Sequence, residues 1–382
     1  MNWRQIFLAT CALAIANASA KDFLVYFGTY TNAISRGIYV SRLDNDTGKL
    51  SAPELAAETP SPCFLATTID GRFLYAANSV KMFDGRLGGS VSAFSVDKKD
   101  GRLTLLNEKY SGGEGPCHVS VDAAGKLLLV ANYGSGSMGA FLLETNGSIG
   151  KSGMPITFGG HGINTNRQDG AHSHFISADA SNRFVLGCNL GTDQIAVFAL
   201  PKGNAELAGW IFKTFNVPPG SGARHLAFSQ HPSRVYCLNE LNCTISVFGW
   251  DWGFGELNLI ESISALPPGV VAQNNFTAAE ILVHPSGKFV YATIRGHDSV
   301  SVFAADSQDG KLTFVQNISA GGNVPRGLGI DPTGRWLITA NQKSANVVEF
   351  VIDAVTGKLS PTGQELKIGS PVDVKFVAVN AD

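Results

Sequence analysis

Side chains that can move protons or hold anions recur at two fixed places in this chain. One set stands at the start of a short apolar run: His118, His172, His174, Arg224, His225, Glu280 and Arg326. The other stands at or just past the end of the next run: Asn132, Tyr133, Asn189, Asp193, Asn239, Glu240, Arg295, His297, Asp298, Asn341 and Gln342. Imidazoles, guanidiniums and carboxylates gathered at one opening are what acid–base chemistry on an anionic or oxygen-rich ligand needs. A single His or Arg in a polar channel often only satisfies backbone carbonyls. The chemical reading therefore depends on the whole set converging.

What must bring them together is a repeated unit. Residues 280–305 show it most plainly: an apolar run, the turn His284-Pro-Ser-Gly287, a second apolar run, the polar loop Arg295-Gly-His-Asp298, and an alternating run ending in Val302-Phe303. Pro and Gly between β-branched and aromatic runs signal antiparallel hairpins. The turn ends six times, in Arg72, Lys126, Arg183, Arg234, Lys288 and Arg335. A period of about 50 residues points to a propeller or an array of small sheets. A third-strand column ends in Phe94, Phe141, Phe198, Phe248, Phe303 and Phe350.

Complete repeats begin near Pro62, Gly115, His172, Ala223, Ala278 and Pro325. Residues 23–58 supply three strands without an opening run, and Pro371-Val-Asp-Val-Lys-Phe-Val377 supplies one strand and no more. Joining these closes a ring and removes exposed sheet edges. The expected fold is all-β: a seven-bladed β-propeller whose last blade combines the C-terminal strand with the N-terminal strands. In such a blade the inner strand crosses from one face to the other and the second strand returns. Both polar sets then share one mouth, and the turns between them face the opposite mouth. His231 and His284 fall in those turns and are expected to be structural. Long loops are favoured places for function. Two stand out here, 150–171 with His161 and 265–277 with Pro267-Pro268.

Residues 1–20 read as a secretory signal peptide: a short positive start at Asn2-Trp-Arg4, an apolar core from Ile6 to Ile15, and Ala18-Ser-Ala20 before the cut. Residues 21–382 are expected to form a single propeller domain, secreted or periplasmic, and monomeric. Sequons begin at Asn45, Asn146, Asn242, Asn275 and Asn317, positions for glycans in a eukaryotic secretory pathway. The formal net charge is −2 with no basic run, which argues against nucleic acid and anionic membranes as partners. Cys63, Cys117, Cys188, Cys237 and Cys243 remain after the leader, an odd number. They read as small buried side chains in inner strands, with a Cys237–Cys243 bridge as an alternative. No spacing resembles a zinc site, and no cofactor is expected. There is no Gly-x-Ser-x-Gly elbow and no phosphate-cradling glycine loop, and Phe83-Asp-Gly-Arg86 reads as an ordinary turn.

Several stretches resemble the seven-bladed lactonase family, which includes propeller-type 6-phosphogluconolactonases and the fungal carboxy-cis,cis-muconate cyclases. They include Phe27-Gly-Thr-Tyr-Thr31, Gly115-Pro-Cys-His-Val-Ser120, Gly222-Ala-Arg-His-Leu-Ala-Phe228, Leu238-Asn-Glu-Leu241, Thr277-Ala-Ala-Glu280, Arg295-Gly-His-Asp-Ser299 and Ala340-Asn-Gln342. They follow the family's order across nearly the whole mature chain. The resemblance implies His174, Arg224, Glu240 and Arg295 as catalytic residues. It implies His118, His225, Glu280 and Arg326 as cleft-lining positions, and Asn132, His172, His297 and Asn341 join these as candidate substrate contacts. The register of His172 against His174 is open. Asn78-Ser79 departs from the family's usual Asn-Glu, so that blade is expected to contribute less.

Three functions follow. In lactone hydrolysis of a small anionic or sugar-derived lactone, Glu240 or His174 activates water, Arg224 stabilises the oxyanion, and Arg295 and Arg326 hold an anionic group. In muconate cycloisomerisation the same arginines bind carboxylates. The third is a secreted propeller that binds a ligand without turnover.

Overall fold

The structure is a computed structural model that describes residues 22–200, 205, 211–230 and 233–379. The leader and His231 lie outside these residues. Every repeat becomes an antiparallel sheet with its strands in sequence order, four in each blade but the second, which has five. Blade 1 runs Pro62–Thr67, Phe73–Asn78, Ser90–Val96 and Leu103–Tyr110. Blades 2 to 6 open with inner strands Pro116–Val121, Ser173–Ala178, Ala223–Gln230, Thr277–Val283 and Pro325–Ile330. Blade 7 pairs Pro371–Val379 with Asp22–Thr29, followed by Gly37–Asp44 and Glu54–Glu58. Each inner strand contacts the next around the circle, and Pro371–Val379 touches both Pro325–Ile330 and Pro62–Thr67, so the ring is closed. Among the described residues no helix occurs.

The burial pattern explains the sequence pattern. Second strands such as Leu127–Asn132 are buried on both faces because each blade lies between two others, and they read as continuous apolar runs. Outer strands such as Leu103–Tyr110 and Glu256–Ser264 are largely open and mix charges with apolar residues. The third-strand phenylalanines are all at most 3 % exposed, filling the space between neighbouring blades. Burying each contributes roughly 1.5–3 kcal/mol.

Closure depends on a close approach. A Cβ on Gly28 would lie 2.7 Å from the Pro62 carbonyl oxygen, so only glycine lets blade 7 pack this tightly on blade 1. At the same point the pairing with Pro371–Val379 slips by a residue between Gly28 and Thr29.

That slip has counterparts round the ring. The pairing of first and second strands shifts between Pro62 and Phe64, Pro116 and His118, Ser173 and Phe175, Ala223 and His225, and Pro325 and Gly327. In blade 5 the shift lies between Ala278 and Ile281. The unpaired residues at these bulges are Cys63, Cys117, His174, Arg224 and Arg326, with Ala279 and Glu280 in blade 5. A bulge breaks the strict two-residue alternation and re-aims a side chain. Here it lets consecutive residues such as Arg224 and His225 both join a single polar cluster.

Several local details differ from the repeat pattern. The outer strand of blade 2 is split into Ile149–Ser152 and Ile156–Thr157, and Met82–Phe83 pairs with Arg86–Leu87 as a separate hairpin. Asp84 and Gly85 both have positive φ, as a two-residue hairpin turn requires. Cys188 and Cys237 sit on second strands rather than inner ones. Cys237 and Cys243 are both free thiols, so that bridge does not form.

Candidate active site

Glu240 is the hub. It follows the second strand of blade 4 and is almost wholly buried. Arg224 Nε donates to its Oε2 at 2.8 Å, Arg295 Nη2 lies 3.0 Å from Oε2, and Arg167 Nη2 lies 2.6 Å from Oε1. Burial alone would raise this carboxyl, but Arg295, Arg224 and Arg167 overcome it and hold the group well below the ordinary carboxylate range. Arg224 also donates to the Ala279 carbonyl, and Arg295 to that of Ala278 at 2.8 Å. Nε of Arg295 is a buried donor with no acceptor among the described residues.

Beside this cluster runs a line of rings. His174 Nδ1 lies 3.2 Å from His225 Nε2, and His225 Nδ1 lies 2.8 Å from Glu280 Oε1. Burial first, then the Arg224 charge, drives both His174 and His225 well below 6.5, so both rings are neutral at pH 7. Tyr133 stacks on His172 at 4.4 Å and meets His174 edge-on at 5.5 Å. Arg326 lies over Tyr30 at 5.6 Å and has no hydrogen bond or ion pair to any described residue.

The family model for the seven-bladed β-propeller lactonases matches residues 24–376. The chain belongs to this family. A Bacillus subtilis relative named 6-phosphogluconolactonase is 34 % identical over 93 % of this chain and 98 % of its own length. A Formosa agariphila relative of the same name is 31 % identical over 90 % of this chain and 96 % of its own. Among solved structures, the Pseudomonas aeruginosa periplasmic gluconolactonase superposes with a TM-score of 0.85 at 28 % identity, covering 94 % of this chain and 99 % of that one.

In this lactonase-family chain the residues singled out by sequence separate into two groups. His174, Arg224, Glu240, Arg295, His225 and Glu280 form the connected cluster just described, and Arg326 approaches it closely enough to feel the Glu240 charge. Others do not join as expected. Asn132 is fully buried and donates to Ser111 O and Ser137 Oγ, and Asn341 donates to Ala320 O and Thr339 Oγ1. Their amide NH2 groups tie second strands to their neighbours, and the Oδ1 of each is a buried acceptor with no partner among the described residues. His118 is packed between Phe64 and Phe175 with ring separations of 4.2 and 4.4 Å, and its Nδ1 accepts from the Ile176 N–H. His172 props Tyr133, with Nδ1 3.0 Å from the Tyr133 carbonyl. His297 bonds Ser299 Oγ at 2.7 Å and packs against Phe276. His284 is structural as expected, bonded to Gly334 O and Ser286 Oγ.

Sequence reasoning missed Arg167 and the pair Asp373–Lys375. The 150–171 loop was a candidate for function, but its His161 is exposed and, among the described residues, its ring hydrogen-bonds only Gly162 O. The loop delivers Arg167 to Glu240 instead. Lys375, on the inner strand of blade 7, bonds Asp373 at 2.7 Å and sits 4.3 Å over the Phe64 ring. Two charged residues alternating within an inner strand, Asp373-Val-Lys375, were the available signal. A separate groove of about 510 Å³ between the outer parts of blades 1 and 2, lined by Phe83, Arg86, Tyr110 and Pro155 among others, shares no residue with this cluster.

Of the sequons, Asn146 and Asn275 are exposed, whereas Asn45 is buried and the Asn317 amide bonds Ser299 and Ser301 within its sheet.

Proposed function

We propose that the chain hydrolyses a sugar lactone bearing an anionic group, with His174 as general base and arginines as the anion and oxyanion partners. One observation supports this most directly. Among the described residues, five cations, Arg167, Arg224, Arg295, Arg326 and Lys375, gather with three carboxyl groups, Glu240, Glu280 and Asp373, so positive charge is in excess beside a neutral imidazole. Glu240 suits the base role poorly, because its lone pairs are committed to three arginines and its proton affinity is depressed. Its better role is to hold those arginines in place.

In this reaction water attacks the ring carbonyl carbon while its proton passes to Nε2 of His174. Arg224 and the unmatched Nε of Arg295 face the negative charge that develops on the carbonyl oxygen. The ring C–O bond then breaks, and the proton returns to the departing ring oxygen, leaving the open hydroxy acid. Arg326 receives the substrate's carboxylate or phosphate.

The reading of residues 1–20 as a leader, together with the periplasmic relative, supports an exported enzyme that meets lactones outside the cytosol. An N-terminal sequence of the mature protein starting at Lys21 is expected; retention of Met1 or Asn2 would contradict export. Activity is tested by titrating acid release from gluconolactone and its 6-phosphate, corrected for spontaneous opening, in parallel with a muconate panel. Catalysed opening that is lost in His174→Asn is expected. Turnover of muconates with none of either lactone would replace hydrolysis with cycloisomerisation, and tight binding without any turnover would leave only a binding role.

A further inference from the structure

Three side chains from three blades stand in file: Glu280 on the inner strand of blade 5, His225 on that of blade 4, and His174 on that of blade 3. Both links are of hydrogen-bond length, 2.8 Å from Glu280 Oε1 to His225 Nδ1 and 3.2 Å from His225 Nε2 to His174 Nδ1. We propose that Glu280 and His225 are positioning residues that fix the tautomer of His174, so that its Nε2 carries the lone pair that takes the proton from water. This rests on the lactonase reading for its chemistry, though the tautomers themselves do not.

Two neutral imidazoles in contact can share only one hydrogen between the facing nitrogens, so the tautomer of one dictates that of the other. The choice is made at the Glu280 end. Its Oε1 also accepts from the Ile281 backbone N–H at 3.1 Å, and as a carboxylate Glu280 can only accept. His225 must then donate from Nδ1 and accept at Nε2. His174 must donate from Nδ1, and Nε2 is left with its lone pair. With Glu280 protonated or absent the file can run in reverse, and His174 would present an N–H where a base is needed.

Burial raises the Glu280 carboxyl, while Lys375, Arg224, the Ile281 N–H and Arg326 favour its anion, and the same cations favour neutral rings beside it. Arg224 and Arg326 face both histidines, Lys375 faces His225 and Glu280, and the His118 ring lies 5.2 Å from that of His225. These cations oppose protonation of either ring in the resting state. When His174 takes its proton, the Nδ1–H bond to His225 shortens toward transfer and the Glu280 carboxylate balances the charge two rings away. The same arrangement in reverse releases the proton to the departing ring oxygen. The bulges in blades 3, 4 and 5 are what allow three inner strands to contribute to one file.

The test reads tautomers and kinetics together. Long-range ¹H–¹⁵N spectra of ¹⁵N-histidine protein, assigned with His174→Asn and His225→Asn, should show both rings carrying hydrogen on Nδ1 at pH 7. A His174 ring protonated on Nε2 in the wild-type protein would overturn the proposal, whether or not any lactone is turned over. In Glu280→Gln the His174 signal should move toward the other tautomer, and kcat for lactone opening should drop by on the order of 100-fold with KM within about twofold. Glu280→Asp should recover part of the loss. Equal kcat in Glu280→Gln and wild type, with unchanged tautomers, would also overturn it. Absence of lactone opening in the wild type, with the spectra as expected, would sink the reaction and leave the file standing.

Discussion

Arg167 and Glu240 meet at 2.6 Å although 73 positions separate them, which fastens the loop between blades 2 and 3 to the floor of the opening in blade 4. The two ends of this contact differ in burial: the Arg167 side chain is 38 % exposed and that of Glu240 only 4 %. Arg167→Ala should therefore weaken kcat/KM by roughly tenfold with little change in melting temperature, since partly exposed pairs contribute little stability. Glu240→Gln should lower activity and also destabilise by about 3–5 kcal/mol, because it leaves Arg224 buried without its anion. Denaturant titration beside steady-state kinetics separates the two; equal stability losses would contradict the asymmetry.

His174→Asn should reduce kcat by roughly 10²- to 10⁴-fold, the usual size of a general-base contribution. In the wild type the ring protonates only well below 6.5, so kcat/KM should be flat around neutrality and fall in acid. The same shift has a stability consequence of known sign. The unfolded chain binds the proton at higher pH than the folded one, so stability is complete above about 6.5 and is lost as pH falls. Rising activity as pH drops from 7 to 5 would rule out a neutral imidazole base.

As the proposed anion anchor, Arg326 is expected to discriminate between substrates. Its guanidinium is matched by no carboxylate among the described residues and lies over Tyr30. Arg326→Ala should raise KM for the 6-phosphate lactone by on the order of 10- to 100-fold while changing that for the uncharged lactone about twofold, as expected for loss of 1.5–3 kcal/mol of charge-assisted bonding. Arg326→Lys should recover only part, lacking the planar fork. An equal effect on both lactones would move the anion site elsewhere.

Glu349 offers a test away from the site. It lies fully buried on the third strand of blade 6, accepting from Thr362 Oγ1 at 3.0 Å and from Gln364, while Oε1 has no partner. Burial pushes its carboxyl up to about 7. The folded state holds a proton that the unfolded chain gives up near 4.5, so its stability contribution is full in acid and is lost as pH rises through 7. Glu349→Gln should raise stability at pH 8 by roughly 2 kcal/mol and flatten the pH dependence between 5 and 8. A variant less stable than wild type at pH 8 would refute this.

Much of the architecture was legible in the chain because it is written six times over. The turns, the Phe column and the split first repeat demand a closed ring, and the crossing of inner strands places the two polar sets at one mouth. The same regularity leaves the direction of particular side chains open. Asn132 and Asn341 recur at the ends of second strands like Glu240 and Arg295, yet their amide NH2 groups bind backbone and hydroxyl groups. A one-residue difference in register decides between these outcomes, and the pattern of residue types is silent about it.

The order of repeats, the closure by the C-terminal strand and the family likeness were determined by sequence alone, because burial between blades constrains every apolar position in turn. The linking of Glu280, His225 and His174 into one file was decided only by tertiary structure, as was the arrival of Arg167 from a loop without a pattern. Both depend on contacts between blades, and on bulges that break the alternation by which side-chain direction is read from a strand.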